Sequence, residues 1–325
     1  MAQYPTETEV LAAVDQAGWL LEQQAARVLD QHDFKPRPSW AYPDPDEPSR
    51  SRELDVWSYR SYWQSAEAKA YIGATILIEC KQSVNPYCAI GQELPEWRRR
   101  GNPTEHTLPV RYTPDYFDVE HDRLRYGYTW DVMGFRSLRL RYGQTNFRAT
   151  QLTRIDRKGD GWVASNTGIF NDLVYPLAKA VRASQRDSKT RKDWNLHYRH
   201  RESKLNPPRE GRKELVEFNL RFPVVLISCP LYVIDAGTDS PHFSEAKWVR
   251  VQRHLESNTL KGIFEFDVVS RSAFVEYIET VVEGFMAEFV STVEADPLRY
   301  TGEQWIPPGV PDRSMGWSTP SEDLA

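Results

Sequence analysis

Thr75-Ile76-Leu77-Ile78-Glu79-Cys80-Lys81-Gln82 sets a short apolar run directly against an acid and a base. The run is β-branched and has no turn former after Gly73, which predicts a buried strand. Side chains alternate across a strand, so Glu79 and Lys81 project from one face while Ile78 and Cys80 project from the other. A carboxylate and an ammonium at the end of a greasy strand cost several kcal/mol to bury unless a third group compensates them. Some twenty residues earlier, Arg52-Glu53-Leu54-Asp55-Val56-Trp57 reads as a second strand, with Leu54 and Val56 on one face and Glu53, Asp55 and Trp57 on the other. Asp55 can bring another carboxylate to the same spot. Two carboxylates and one lysine are the composition of a divalent-metal site with an ammonium beside it.

The first helix adds a further acid. Residues 7–31 are expected to be helical, with Val10, Val14, Leu21, Ala25 and Val28 at helical spacing and Thr6 or Thr8 as cap. Glu22 sits at the border of that apolar stripe, beside Gly18, Ala25 and Leu29. A boundary carboxylate reaching water is the plainer reading of Glu22. For Asp55 the plainer reading is a strand-end acid paired with Arg52 or Arg60, and Glu53 rivals it for the site.

Taken in order, Glu22, Asp55, Glu79 and Lys81 resemble the motif of the PD-(D/E)xK, restriction-endonuclease-like nuclease superfamily, here a bacterial branch of it. In that family a glutamate-bearing helix precedes a strand hairpin ending in an acid, and a following strand ends in (D/E)-x-K. The likeness covers roughly residues 10–82, and the rest of the chain only in outline. It departs at the front of the motif, where Leu54-Asp55 stands in place of Pro-Asp. What the resemblance implies is Mg²⁺- or Mn²⁺-dependent hydrolysis of phosphodiester bonds by an endonuclease, as in a restriction or phage-defence effector. Asp55, Glu79 and the backbone carbonyl of Cys80 would hold the ion. Lys81 would orient or deprotonate the attacking water, Glu22 would bind a second ion or one of its waters, and Gln82 would position the phosphate. The implied partners are nucleic acid, DNA ahead of RNA, and a second copy or a partner protein in a defence system. The alternative is a nucleic-acid-binding or scaffold protein that keeps the fold without activity. A third reading is an unrelated α+β protein in which Glu79 and Lys81 form a structural ion pair.

The fold expected is α/β (α+β), with a central mixed sheet flanked by helices and a loop-rich insertion after the Glu-x-Lys strand. The organisation expected is a single domain over residues 1–295, with a core of about 7–82 and 165–295, an insertion of about 83–150, and a loosely ordered tail from 296. The chain has 325 residues, 40% hydrophobic and 27% charged, ordinary values for a globular protein. No apolar run is long enough to span a bilayer and no secretory signal is seen, so a cytoplasmic setting without membrane is expected. Three scattered cysteines, Cys80, Cys88 and Cys229, make no disulfide framework or zinc ribbon.

The net charge of −5 argues against indiscriminate coating of nucleic acid, yet the cations are unevenly spread. Residues 182–213 carry eleven Lys or Arg against four Asp or Glu, interleaved with Trp194, His197, Tyr198 and His200. Arg182, Arg186, Lys189, Arg191, Lys192, Arg199 and Arg201 are therefore candidate phosphate contacts, against the plainer reading of a solvated loop. Arg98 to Arg100, Arg136, Arg139, Arg141 and Arg148 form a second basic group. Further strands are expected at 34–42, on an edge because of Pro36 and Pro38, and at 147–155 and 161–164 around a turn at 158–161. Residues 215–235 read as a strand pair turning at Pro230, and 248–251 with 263–269 as another pair. Helices are expected from about 166 to 184 and from Ser270 or Ser272 to about 293. Gly91 to His106 reads as an exposed insertion.

Overall fold

The computed structural model describes residues 4–68, 70–95, 105–106, 116–118, 123–125, 135, 146–190 and 216–297. Among them an α+β arrangement is built on one mixed sheet of eleven strands. Thr6 opens α1 (Glu7–Gln16) with a capping box to Glu9. The expected single helix is broken at Gly18, whose φ of +91° only glycine adopts easily, and α2 (Trp19–Gln31) starts afresh. The apolar stripe is correspondingly split. Leu21, Ala25, Ala26 and Leu29 of α2 are buried, whereas α1 buries nothing and Val10 is 44% exposed.

Strands β1 (Lys35–Pro43), β2 (Ser51–Ser65) and β3 (Ala70–Lys81) form an antiparallel meander with β1 at the edge. The long excursion after β3 supplies β4 (Tyr87–Glu93), the separate hairpin β5 (Tyr116–Asp118) and β6 (Arg123–Arg125), and the hairpin β7 (Phe147–Lys158) and β8 (Gly161–Ser165). A π-helical turn, Phe170–Val174, leads into α3 (Tyr175–Thr190), which starts later and runs longer than its apolar pattern implied. The chain then enters β9 (Val216–Ile227), parallel to β3 along its whole length. Next come β10 (Leu231–Asp235), β11 (His242–Glu245), β12 (Trp248–Glu256) and β13 (Lys261–Ser270). The C-terminal helical stretch passes through α4 (Phe274–Tyr277), a π-helical segment and α5 (Gly284–Ala295).

The strands follow the order β1-β2-β3-β9-β13-β12-β7-β4-β10-β11, with β8 beside β7. Two expectations are corrected by it. Residues 216–227 and 231–235 do not pair: β9 lies between β3 and β13, while β10 lies between β4 and β11. Nor is the stretch from Gly91 to His106 an exposed insertion throughout. Gly91 to Glu93 complete β4, and Glu105 and His106 are buried, with His106 Nδ1 accepting from the Arg221 amide at 3.0 Å.

Apolar side chains fill both faces of the sheet. On one, α2, α4 and α5 bring Leu21, Leu29, Tyr277, Ile278, Phe285 and Phe289 against Ile76, Ile78, Cys80, Phe222 and Val224. On the other, the π-helical turn and α3 bring Leu173, Leu177, Ala180 and Val181 against Leu77, Val225 and Ile227. β3 and β9 are buried on both faces, the pattern of parallel neighbours covered by helices, which is why β3 and residues 222–227 of β9 read as apolar runs. Polar groups break through at the end of β3, and also in β9, β12 and β13, where Arg221, Arg250 and Asp267 are buried.

Candidate active site

β3 delivers Glu79 and Lys81 side by side on the α3 face, and Lys81 Nζ donates to Glu79 Oε1 at 2.8 Å. Leu77 on that face and Ile78 and Cys80 on the other enter opposite cores, as alternation requires. Glu79 is only 8% exposed, so its partner matters. Burial first, and the Asp55 charge second, push its carboxyl up to about 7 in spite of Lys81. For Lys81, burial works against the charge, but the Glu79 carboxylate overrides it and raises the ammonium above its ordinary value.

Asp55 arrives by a distortion that alternation alone did not foretell. Leu54 and Val56 were expected on one face, yet Leu54 packs with the α3 core and Val56 with the α2 core. The β1–β2 ladder pairs Pro38 with Val56 and Trp40 with Leu54, and between them Ser39 and Asp55 fall out of register. Ser39 has φ +50°, a left-handed backbone that a non-glycine residue adopts at a cost. Both strands thus switch faces around Asp55. Its carboxylate turns to the neighbouring strand, where Oδ2 accepts the Cys80 amide at 2.5 Å. The arginines expected to neutralise it are committed elsewhere, Arg52 to Asp44 and Arg60 to Glu283. Burial raises the Asp55 carboxyl, opposed by the Cys80 N–H and by Lys81.

Glu22 comes from the first turn of α2. It is half-buried and makes no hydrogen bond or ion pair among the described residues. Burial, then the charges of Asp55 and Glu53, push it up to about 7, and Lys81 works the other way. Three carboxylates and a lysine, drawn from three elements, therefore feel one another. Gln82 completes the edge: its Nε2 donates to Asp15 at 3.4 Å, while its Oε1 is enclosed without a hydrogen-bond partner. A Cβ on Gly18 would stand 3.4 Å from Gln82 Cβ, so the break between α1 and α2 is pressed against the site. The sequence carries no sign of the parts played by Asp15 and Ser39; only Gly18 bears a signal, a glycine within a helical pattern.

No group of three or more His, Cys, Asp or Glu among the described residues is gathered as a ready-made metal cage. Small hard cations do not need one, since Mg²⁺ typically takes one or two carboxylates and keeps several waters. Asp55 and Glu79 each have one oxygen engaged by an internal donor and one left over. Two such carboxylate oxygens are donors of the kind that fits such an ion.

The basic stretch contributes less. Arg182 lies on α3 with its Nε enclosed and unpartnered, away from the role of an exposed phosphate contact. Arg186 and Lys189 fall on the last turns of α3. Arg191, Lys192, Arg199 and Arg201, with Trp194, His197, Tyr198 and His200, lie outside the described residues, as do Arg98 to Arg100, Arg136, Arg139 and Arg141. Arg148, from the second basic group, turns inward to Glu265 at 3.2 Å.

No family model, curated protein or solved structure matches the chain. No helix among the described residues is long and apolar enough to cross a membrane.

Proposed function

We propose that the chain is a metal-dependent nuclease of the PD-(D/E)xK type that hydrolyses phosphodiester bonds in nucleic acid. One observation carries the reading: Glu22, Asp55 and Glu79 converge electrostatically on the end of β3, each one's charge eased by Lys81. Three carboxylates against one ammonium leave two formal negative charges in a largely buried corner. That excess works against the fold, and a divalent cation would cancel it. The order of elements supports the same reading. A glutamate-bearing helix, a hairpin carrying Asp55, a strand ending in Glu-x-Lys and a second helix laid on the sheet are what the restriction-endonuclease-like core requires.

Asp55, Glu79 and the Cys80 carbonyl would hold Mg²⁺ or Mn²⁺, which supplies acidification of water and charge neutralisation at the phosphorus. Lys81, held as an ammonium beside Glu79, would orient the attacking water and steady the charge that develops on it. Gln82, braced by Asp15, presents its amide to the phosphate. Glu22, on α2, couples electrostatically to Asp55 and Lys81 and would order water on that side. As a restriction or phage-defence effector the protein would cut DNA ahead of RNA, as a dimer or with a partner protein. An inactive nucleic-acid-binding scaffold is the second reading, favoured by the engagement of Lys81 Nζ with Glu79.

The test is a cleavage gel with supercoiled plasmid, linear duplex, single-stranded DNA and RNA, in Mg²⁺, Mn²⁺ or EDTA. Metal-dependent cutting that disappears in Lys81→Ala is expected. Undiminished cutting by Lys81→Ala would remove the assignment.

A further inference from the structure

Along the β1–β2 hairpin a row of aromatic rings leads away from the candidate site on the α3 face of the sheet. Trp40 lies 5.2 Å from Tyr42 and 5.9 Å from Trp57, and Trp57 lies 6.3 Å from Tyr59, between ring centroids. The planes differ by 24°, 30° and 15°. Near-parallel rings in contact are about 3.5–4 Å apart, so centroids near 6 Å imply a sideways offset of about 5 Å. Such rings overlap like roof tiles. Trp40, Trp57 and Tyr59 are half-buried; Trp40 and Trp57 have one side against the core under α3, and Tyr59 continues the row onto Tyr71 at 6.3 Å.

Cations stand beside the rings. Arg37 pairs with Trp57 across the strands, and Lys35 pairs with Tyr59. Directly opposed residues share a face, and the Arg37 guanidinium lies 5.0 Å from the Trp57 ring centroid. Lys35 and Arg37 are exposed, and neither makes an ion pair among the described residues. A row of rings with an unneutralised cation opposite each of two of them matches the alternation of base and phosphate along an unpaired strand. Paired bases already stack on one another and show proteins only their edges, so a duplex cannot use such a row.

The row is also continuous with the site. Trp57 pairs with Leu77, which is one pleat from Glu79 on the same face. The Tyr42 hydroxyl donates to the Pro176 carbonyl, and its acidity feels the Glu79 charge.

We infer that Trp40, Trp57 and Tyr59, with Lys35 and Arg37, form a stacking platform for single-stranded nucleic acid that feeds the unpaired strand to Glu79 and Lys81. The inference rests on the proposed function for where the strand leads and names its substrate class; the platform's affinity does not depend on cleavage.

The test uses the full chain in EDTA, a fluorescein-labelled oligothymidylate and a blunt duplex of equal length, read by anisotropy. The single strand binds more tightly than the duplex. Trp57→Ala and Tyr59→Ala each weaken single-strand binding about tenfold. Trp57→Phe, which keeps a ring, stays within about threefold of the wild type. Arg37→Ala reduces the slope of log affinity against log salt by about 0.7. Thermal melts of each variant separate lost stacking from lost fold. Equal single-strand affinity of the wild type and both alanine variants overturns the inference, as does tighter binding of the duplex. Because no metal is present, failure of the cleavage gel leaves this measurement intact. Metal-dependent cutting of duplex with no single-strand binding keeps the nuclease reading and removes the platform.

Discussion

Asp55, Glu79 and Glu22 are held where their ionised forms are penalised, and this sets a pH dependence with a definite sign. The Glu22 and Glu79 carboxyls sit near 7 in the folded protein against 4.5 ordinarily. Between those values the folded state binds more protons than the unfolded one, so stability falls as pH rises through that window. Melting temperature in EDTA is therefore expected to drop between about pH 5 and about pH 8, with a shallower drop in Glu79→Gln. Glu22→Gln, which removes an unpaired half-buried charge, should melt above the wild type at about pH 8 in EDTA. A lower melting point for that variant would contradict the repulsive corner. Glu79 and Lys81 were legible in the sequence because strand alternation alone puts them together. Asp55 was legible as a residue but not in its aim, since the switch of faces at Ser39 and Asp55 lives in backbone torsions that no side-chain pattern reports. Asp15 was not legible, because its role depends on where α1 stops.

At the scale of elements, Gly18 decides where α1 stops. Its left-handed φ predicts that Gly18→Ala costs about 1–2 kcal/mol in urea unfolding, with Gln82 disturbed by the new Cβ. A neutral outcome would mean that the junction tolerates an ordinary helical turn. α3 is tied down by a buried ionic knot rather than by apolar contact alone. Lys179 Nζ donates to Asp44 Oδ1 at 2.9 Å and pairs with Asp46 Oδ2 at 2.9 Å, while Arg52 takes the other Asp44 oxygen. Asp44 is 1% exposed. Burial alone would raise its carboxyl, but bonds to Lys179 and Arg52 hold it well below the carboxylate range. That stabilisation is present above its ordinary value of 3.8 and is lost as pH falls toward the depressed one. Removing one partner strands the other charge, so Lys179→Met is expected to cost about 3–5 kcal/mol by urea unfolding. A cost below about 1 kcal/mol would show the knot to be solvated. The loop that supplies Asp44 and Asp46 carries no sequence signal of this knot, because long-range ion pairs leave no local periodicity.

At the scale of the whole molecule, the sheet is asymmetric in what its sequence revealed. The half from β1 to β3 was readable because neighbouring strands are consecutive in the chain and joined by short connections. The far half was not: β4, β10, β12 and β7 meet across long separations, and Leu231 to Asp235 looked like the return strand of a hairpin with β9 when it pairs with Tyr87 to Gly91. Register between distant strands is set by packing, here of β9 between β3 and β13 under α3, and not by turn chemistry. The consequence is that the doubly buried β3 and β9 fix the end of the sheet rigidly while α2 and α3 approach it from opposite faces. That frame brings the acids of β2, β3 and α2 within electrostatic reach of one another. The most direct measurement is a calorimetric titration of Mn²⁺ into the full-length protein beside Asp55→Asn and Glu79→Gln. Saturable binding in the wild type that both variants lose, with their melting temperatures undiminished, is the result expected of a cation site built from these carboxylates. Binding that survives both substitutions, or no binding by the wild type at about pH 8, would contradict it.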